Sequence, residues 1–453
     1  MVFLRLYLGG RTVPLLGLIL SAINAFFTLG TIVFLALWPQ RDDFEAVGRS
    51  FLNYVLVQSH LATENVLAAW YSSMLLLAVA VGAVAAYTIR TQVQVARTPP
   101  WLRYGWLVIA AVFALLSLDE IGSLHERVGM AVSFGGERWG WVSVLALPIL
   151  VTAAYMLAFA WMHMRSVPLA FRLFVIGTAL YLLNPIVEQI QRSLMYGAGA
   201  DPESGARFAH DVLLVLEEGV LELFGTLAFL LGLLFWLREA AVGLPAQTLT
   251  WHVDAEAAAR GGPVAALVVA VGVPVSAATV RALPGADTGI PMNWFPAAAA
   301  FLLCLLASAA RAGMPVEMHA RRQLALTAAI FALVISAYFG AGIHGYRNWG
   351  AFDVLRELLR TTLAVGFAVL CVLLSRKPTG EHIGALLVAA VLMACAINVA
   401  GPHAAFAAAL AAIACATGIA SQALVPGPQT RIPAQSVPRI SQRSGNAGRP
   451  TVA

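Results

Sequence analysis

Charge is what this chain has least of. Asp, Glu, Lys and Arg make up 11% of its 453 residues, against 60% hydrophobic. A soluble domain carries about 25% charged and about 45–50% apolar residues. With a mean hydropathy of +0.81, the shortage specifies a polytopic membrane protein. Cysteine is scarce too: Cys304, Cys371, Cys395 and Cys415 all lie inside apolar runs, with no Cys-x-x-Cys spacing. They read as buried inert thiols and not as a disulfide framework. No solvated domain with clustered basic residues is present, so nucleic acid is not an expected partner. The net charge of +5 reports topology instead. No internal repeat is detectable.

What remains is a succession of apolar runs. Arg5 and Arg11 precede the first, about Val13 to Trp38, which is longer than a signal-peptide core and long enough to span. It reads as an uncleaved helix with a cytoplasmic N-terminus. Gln40 to about His60 reads as an external loop with a short interfacial helix. Further spans follow at about Glu64–Tyr87, Trp106–Glu126, Trp139–Trp161, Leu173–Ile190 and Phe208–Trp236. The basic connections at Arg90–Arg103 and Arg165–Arg172 fall on the cytoplasmic side, as the positive-inside rule requires.

The expected fold is therefore all-α, a transmembrane bundle of about 12 spans with both termini inside. Residues 1–237 form a six-span domain and 238–262 a cytoplasmic linker. Residues 263–424 form a second half of about six spans, and 425–453 a disordered, Arg-containing cytoplasmic tail.

Polar residues interrupt these runs chiefly at one face. The third span ends in Ser117-Leu118-Asp119-Glu120, followed by His125-Glu126. An Asp at mid-bilayer costs about 2.5–3.5 kcal/mol, so intramembrane ionisable groups are functional candidates. At about 100° per residue, Asp119 and Glu126 share a face. On the sixth span Asp211, Glu218 and Glu222 form one stripe, with His210 and Glu217 on a neighbouring one. Carboxylates this close repel unless a metal, an arginine or protons compensate. Carboxylate and imidazole donors suit zinc, manganese or iron.

The expected metal ligands are Asp119, His125, His210 and Glu218, with Glu120, Glu217 and Glu222 available for proton transfer. The Glu-x-x-His spacing of bundle di-metal sites does not occur. Bland readings stand beside these: interfacial acids and histidines, a dipole-favoured Asp211, and Glu188 paired with Arg192 four residues on. Trp70 and Tyr71 read as interfacial belt residues, while Glu64 and Asn65 are further candidates. His344, Arg347, Asp353 and Glu357 gather at the same face in the second half, where Arg356 and Arg360 neutralise the acids.

The set Glu64-Asn65 with Trp70-Tyr71-Ser72, Asp119-Glu120 with His125-Glu126, and His210-Asp211 with Glu217-Glu218 and Glu222 resembles a pattern in uncharacterised bacterial multi-pass membrane proteins. That resemblance covers the first six spans and implies a bacterial inner membrane location, without an activity. Ser117, Asp119 and His125 are also similar to the early core residues of the alkaline ceramidase-like membrane hydrolases. That second resemblance implies a zinc site that hydrolyses a lipid amide; the late His-x-x-x-His of those enzymes has no counterpart here, His344 and His403 being isolated.

Three functional classes compete. A metal-dependent enzyme acting on a lipid or lipid-linked substrate at the outer face would use the acids and histidines as ligands and bases. A proton- or ion-coupled transporter or flippase would use them as carriers. A structural partner in an envelope complex would need neither.

Overall fold

The computed structural model describes residues 2–7, 11–37, 51–63, 66–93, 102, 104–125, 141–197, 205–240, 248–253 and 319–340, with scattered positions between 297 and 308. Six of its helical stretches are long and apolar enough to cross a membrane. They are α1 (Thr12–Leu37), α3 (Leu67–Val93), α4 (Gly105–Gly122), α5 (Val142–Met164), α6 (Pro168–Gly197) and a composite sixth. The sixth consists of α7 (Gly205–Leu214), a π-helical segment (Val215–Glu222) and α8 (Leu223–Ala240). These match the six expected runs of residues 1–237 closely. The further spans expected beyond the linker lie near 264–281, 293–310, 323–341, 353–374, 383–399 and 403–424; α9 (His319–Gly340) is the third of them, the second is described only at scattered positions, and the other four lie outside the described residues.

Burial follows the logic of a bilayer. Leu15, Leu18 and Phe26 on α1, Leu147 and Leu150 on α5, and Ile176 and Ile186 on α6 face outward, while Asn24, Thr31, Ser73, Ser117 and Thr226 are buried. Lipid accepts the apolar exterior, and polar atoms must find partners inside. Ser73 does so by donating to the Ser117 carbonyl at 2.6 Å, its hydroxyl 3.0 Å from that of Ser117.

The short helix expected in the segment after α1 is α2 (Phe51–Ser59), and it packs against α1. Thr31 donates to the Ser59 carbonyl at 3.1 Å and accepts from the Leu61 amide at 3.1 Å. Trp70 and Tyr71 are not belt residues. Trp70 donates to Ser336 of α9 at 2.9 Å, and Tyr71 donates to Asn24 of α1 at 2.7 Å.

Among the described residues the fold is all-α apart from one ribbon. Strands β1 (Val2–Tyr7) and β2 (Thr248–Val253) pair antiparallel, Val2 opposite Val253 and Tyr7 opposite Thr248. β2 lies within the expected linker. The pairing brings the start of α1 and the end of α8 to the same face, as an even number of crossings between them demands.

Helix α6 and the sixth stretch approach through small residues. A Cβ at Gly177 would stand 2.9 Å from the Gly225 carbonyl, and one at Gly232 would stand 2.9 Å from the Ala170 carbonyl. Backbone cannot yield as a flexible side chain can. Gly232→Val is expected to cost about 2–3 kcal/mol, whereas Gly17→Ala, whose Cβ would meet the movable Leu231 side chain at 3.2 Å, is expected to cost far less. Thermal unfolding of both variants in detergent checks this; equal losses would refute the backbone-contact argument.

Candidate functional site

Helix α4 and the sixth stretch run antiparallel and meet in rungs seven residues apart. Trp106 packs on Trp236 with ring centroids 4.7 Å apart, and Phe113 packs on Phe229 at 4.8 Å. A seven-residue step keeps a helix on nearly one face. The next rung is Glu120 against Glu222. There Glu120, Glu218 and Glu222 come together, each offering an oxygen within 4.8 Å of the others. All three are partly buried.

Glu222 is fixed from α6: Asn184 donates its Nδ2 to Glu222 Oε1 at 2.6 Å. The buried Asn184 Oδ1 finds no hydrogen-bond partner among the described residues. The amide thus brings a neutral oxygen to the edge of the carboxylate group. Tyr181, one turn away on α6, donates to or accepts from Thr226 at 2.6 Å and lies in the field of Glu222, Glu120 and Glu218.

The π-helical segment sets which acids face this point. In a continuous α-helix Glu217 would lie about 140° from Glu222. A π turn, with roughly four and a half residues per turn, places Glu217 and Glu218 on either side of Glu222. Glu217 is accordingly buried and lies in the field of Glu188 and Glu222. The stripes expected from an uninterrupted helix are corrected here. Asp211 stays one level further out, with His210.

Asp119 and His125 stand beside the three-glutamate group and not within it; they bind each other. α4 ends at Ser123, whose φ of 45° is left-handed and whose amide donates to the Asp119 carbonyl at 2.6 Å. The chain then folds back. Asp119 Oδ1 accepts from the His125 amide at 2.8 Å, and Oδ2 lies 2.8 Å from His125 Nδ1. An acid at a helix C-terminus opposes the dipole, and these two donors compensate it. His210 is likewise engaged, 3.2 Å from Gln191 and 3.4 Å from Asp211.

The expected Glu188–Arg192 pair forms: Arg192 Nε and Nη2 both donate to Glu188 Oε1, at 2.8 and 2.6 Å. Trp141 Nε1 donates to the same oxygen at 2.7 Å, and its ring lies 5.1 Å from that of His125. Glu64, Asn65, Glu126, His344, Arg347, Asp353 and Glu357 lie outside the described residues.

The residues missed by sequence reasoning are Asn184, the buried Asn24 of α1 and the half-buried Thr28 of the same helix. Each was visible as a polar side chain inside an apolar run, Asn24, Thr28 and Thr31 recurring every three or four residues.

A family model described as a domain of unknown function, DUF8692, matches residues 24–237. The match begins at Asn24 in α1, ends near the close of α8, and includes every member of the carboxylate group. No curated protein and no solved structure matches the chain.

Proposed function

We propose that this chain is an inner-membrane enzyme using a divalent cation held by Glu120, Glu218 and Glu222. Its substrate is a lipid or lipid-linked molecule entering at the face where these acids lie. The observation that carries the reading is the approach of three carboxylates from two helices to within one ion's reach, 4.8 Å. A cation offsets their mutual repulsion.

The donor set selects the cation class. Three carboxylates and the Asn184 amide oxygen are hard oxygen donors, which favour manganese or magnesium over zinc. Asp119, His125 and His210 lie outside the three-carboxylate group. The bound ion would supply a nucleophilic water at neutral pH. Glu217, beside Glu222, is placed to take its proton, and Asp119 holds the His125 ring through Nδ1 as a second proton carrier. The basic connections put this face outside, with both termini inside and about twelve spans in the full chain. A lipid substrate fits a chain whose polar site lies among apolar helices.

One observation favours a transporter instead. The π-helical segment widens a spanning helix at the acids; π turns gather at functional sites, and carboxylates inside spans mark the proton relays of transporters. Elemental analysis of detergent-purified protein dialysed against manganese separates the readings. About one manganese per chain is expected in wild type, with loss in both Glu120→Gln and Glu218→Gln. Folded wild type without metal would overturn the enzyme reading and direct attention to proton-driven flux in the same variants.

A further inference from the structure

The π-helical segment is held from outside itself, by α1. A π turn displaces the regular i→i+4 ladder, and a carbonyl left without a donor in lipid is costly. Asn24 Nδ2 donates to the Leu223 carbonyl at 3.0 Å, and Thr28 Oγ1 lies 3.3 Å from the Gly219 carbonyl and 2.9 Å from that of Asn24. Both receiving carbonyls lie in or just beyond the π turn. Gly219 permits the approach, since a Cβ there would come within 2.7 Å of Thr28 Cγ2. The amide's orientation is set from α3: Tyr71 donates to Asn24 Oδ1 at 2.7 Å, so Nδ2 is the end that faces Leu223. Tyr71 is itself packed on Phe27, with ring centroids 5.2 Å apart.

We propose that Asn24, Thr28 and Tyr71 are positioning residues that hold the sixth helix in its π register, and so decide which acids face the site. Without the clamp the segment relaxes to α-helix. Glu217 then swings away from Glu222 and Glu188 by about one residue's rotation, about 100°, and Glu218 moves relative to Glu120. The proposal uses the carboxylate site described above, but concerns helix register and needs no cation.

Bridging of cysteine pairs by a short bifunctional thiosulfonate tests it. The full-length protein is kept in membranes, with Cys304, Cys371, Cys395 and Cys415 replaced by Ala. The reporter pair is Glu188→Cys with Glu217→Cys. The control pair is Ser73→Cys with Ser117→Cys, whose native hydroxyls are 3.0 Å apart across α3 and α4. In the Asn24→Leu/Thr28→Val background, reporter bridging is expected to slow at least tenfold while control bridging is unchanged. Thr28→Ser, which keeps the hydroxyl, is expected to bridge as the parent does. Unchanged reporter bridging would overturn the proposal. So would equal slowing of both pairs, because Asn24 and Thr28 would then support the bundle at large and not the register. Neither result depends on whether manganese binds, so a failure here is separate from a failure of the cation reading.

Discussion

Replacing Arg192 by alanine is expected to destabilise the protein by about 2–3 kcal/mol. Glu188 is buried, and all three donors named for it converge on one oxygen: Arg192 Nε, Arg192 Nη2 and Trp141 Nε1. Breaking a buried pair by deleting one partner costs about 3–5 kcal/mol, because the remaining charge is stranded. The lower figure applies here because the Arg192 side chain keeps 27% of its surface exposed, and solvent screens part of the loss. The stranded carboxylate also stands in the field of Glu217 and Glu218, which raises the cost. The double variant Glu188→Gln/Arg192→Ala is expected to recover most of the loss, since a glutamine oxygen still accepts from Trp141 and carries no charge. Unfolding temperatures in detergent report both. A single variant as stable as wild type, or a double variant no better than the single, would show that the pair is only a surface contact.

The six helices of the first half were legible because a membrane span leaves a simple trace, a run of about 20 apolar residues between polar loops. The end of α4 was legible for the same reason in reverse, as acids where lipid penalises them. The grouping of those acids was harder to read. Periodicity places residues around a helix but does not say which helix faces it. Asp119 was expected to share its face with Glu126, seven residues on. The stripe that meets the sixth helix instead runs Trp106, Phe113, Glu120, one residue round.

The aromatic spacing was a usable signal, since its partner stripe, Trp236, Phe229 and Glu222, has the same step in the opposite direction. The π turn could not be read from spacing, which assumes a constant rotation per residue. Its trace in sequence is indirect: Gly219 between acids on one helix, and Asn24 with Thr28 on another. Local chain reversal hid the Asp119–His125 contact in the same way. His125 lies six positions after Asp119, and the left-handed turn at Ser123 brings the imidazole back over the carboxylate.

Neutralising Glu218 is expected to change stability in opposite directions with and without cation. In chelator, Glu218→Gln should unfold at a higher temperature than wild type. Two ionised carboxylates about 5 Å apart repel by about 3 kcal/mol at an effective dielectric constant of 20. Glu218 faces both Glu120 and Glu222, and a neutral glutamine there removes whatever part of that repulsion protons have not already relieved. In excess manganese the order should invert. An ion that binds only the folded state stabilises it by about 2.7 kcal/mol at a hundredfold excess over its Kd, and a site deprived of one of three carboxylates loses most of that gain. Wild type should therefore shift upward on adding manganese while Glu218→Gln stays near its chelated value. Glu239→Gln, at the exposed pair with Arg238, should follow wild type in both conditions. An equal upward shift in wild type and Glu218→Gln would place the ion elsewhere. No shift in either, with the variant still more stable in chelator, would leave three repelling acids relieved by protons alone, the arrangement a proton-coupled carrier uses.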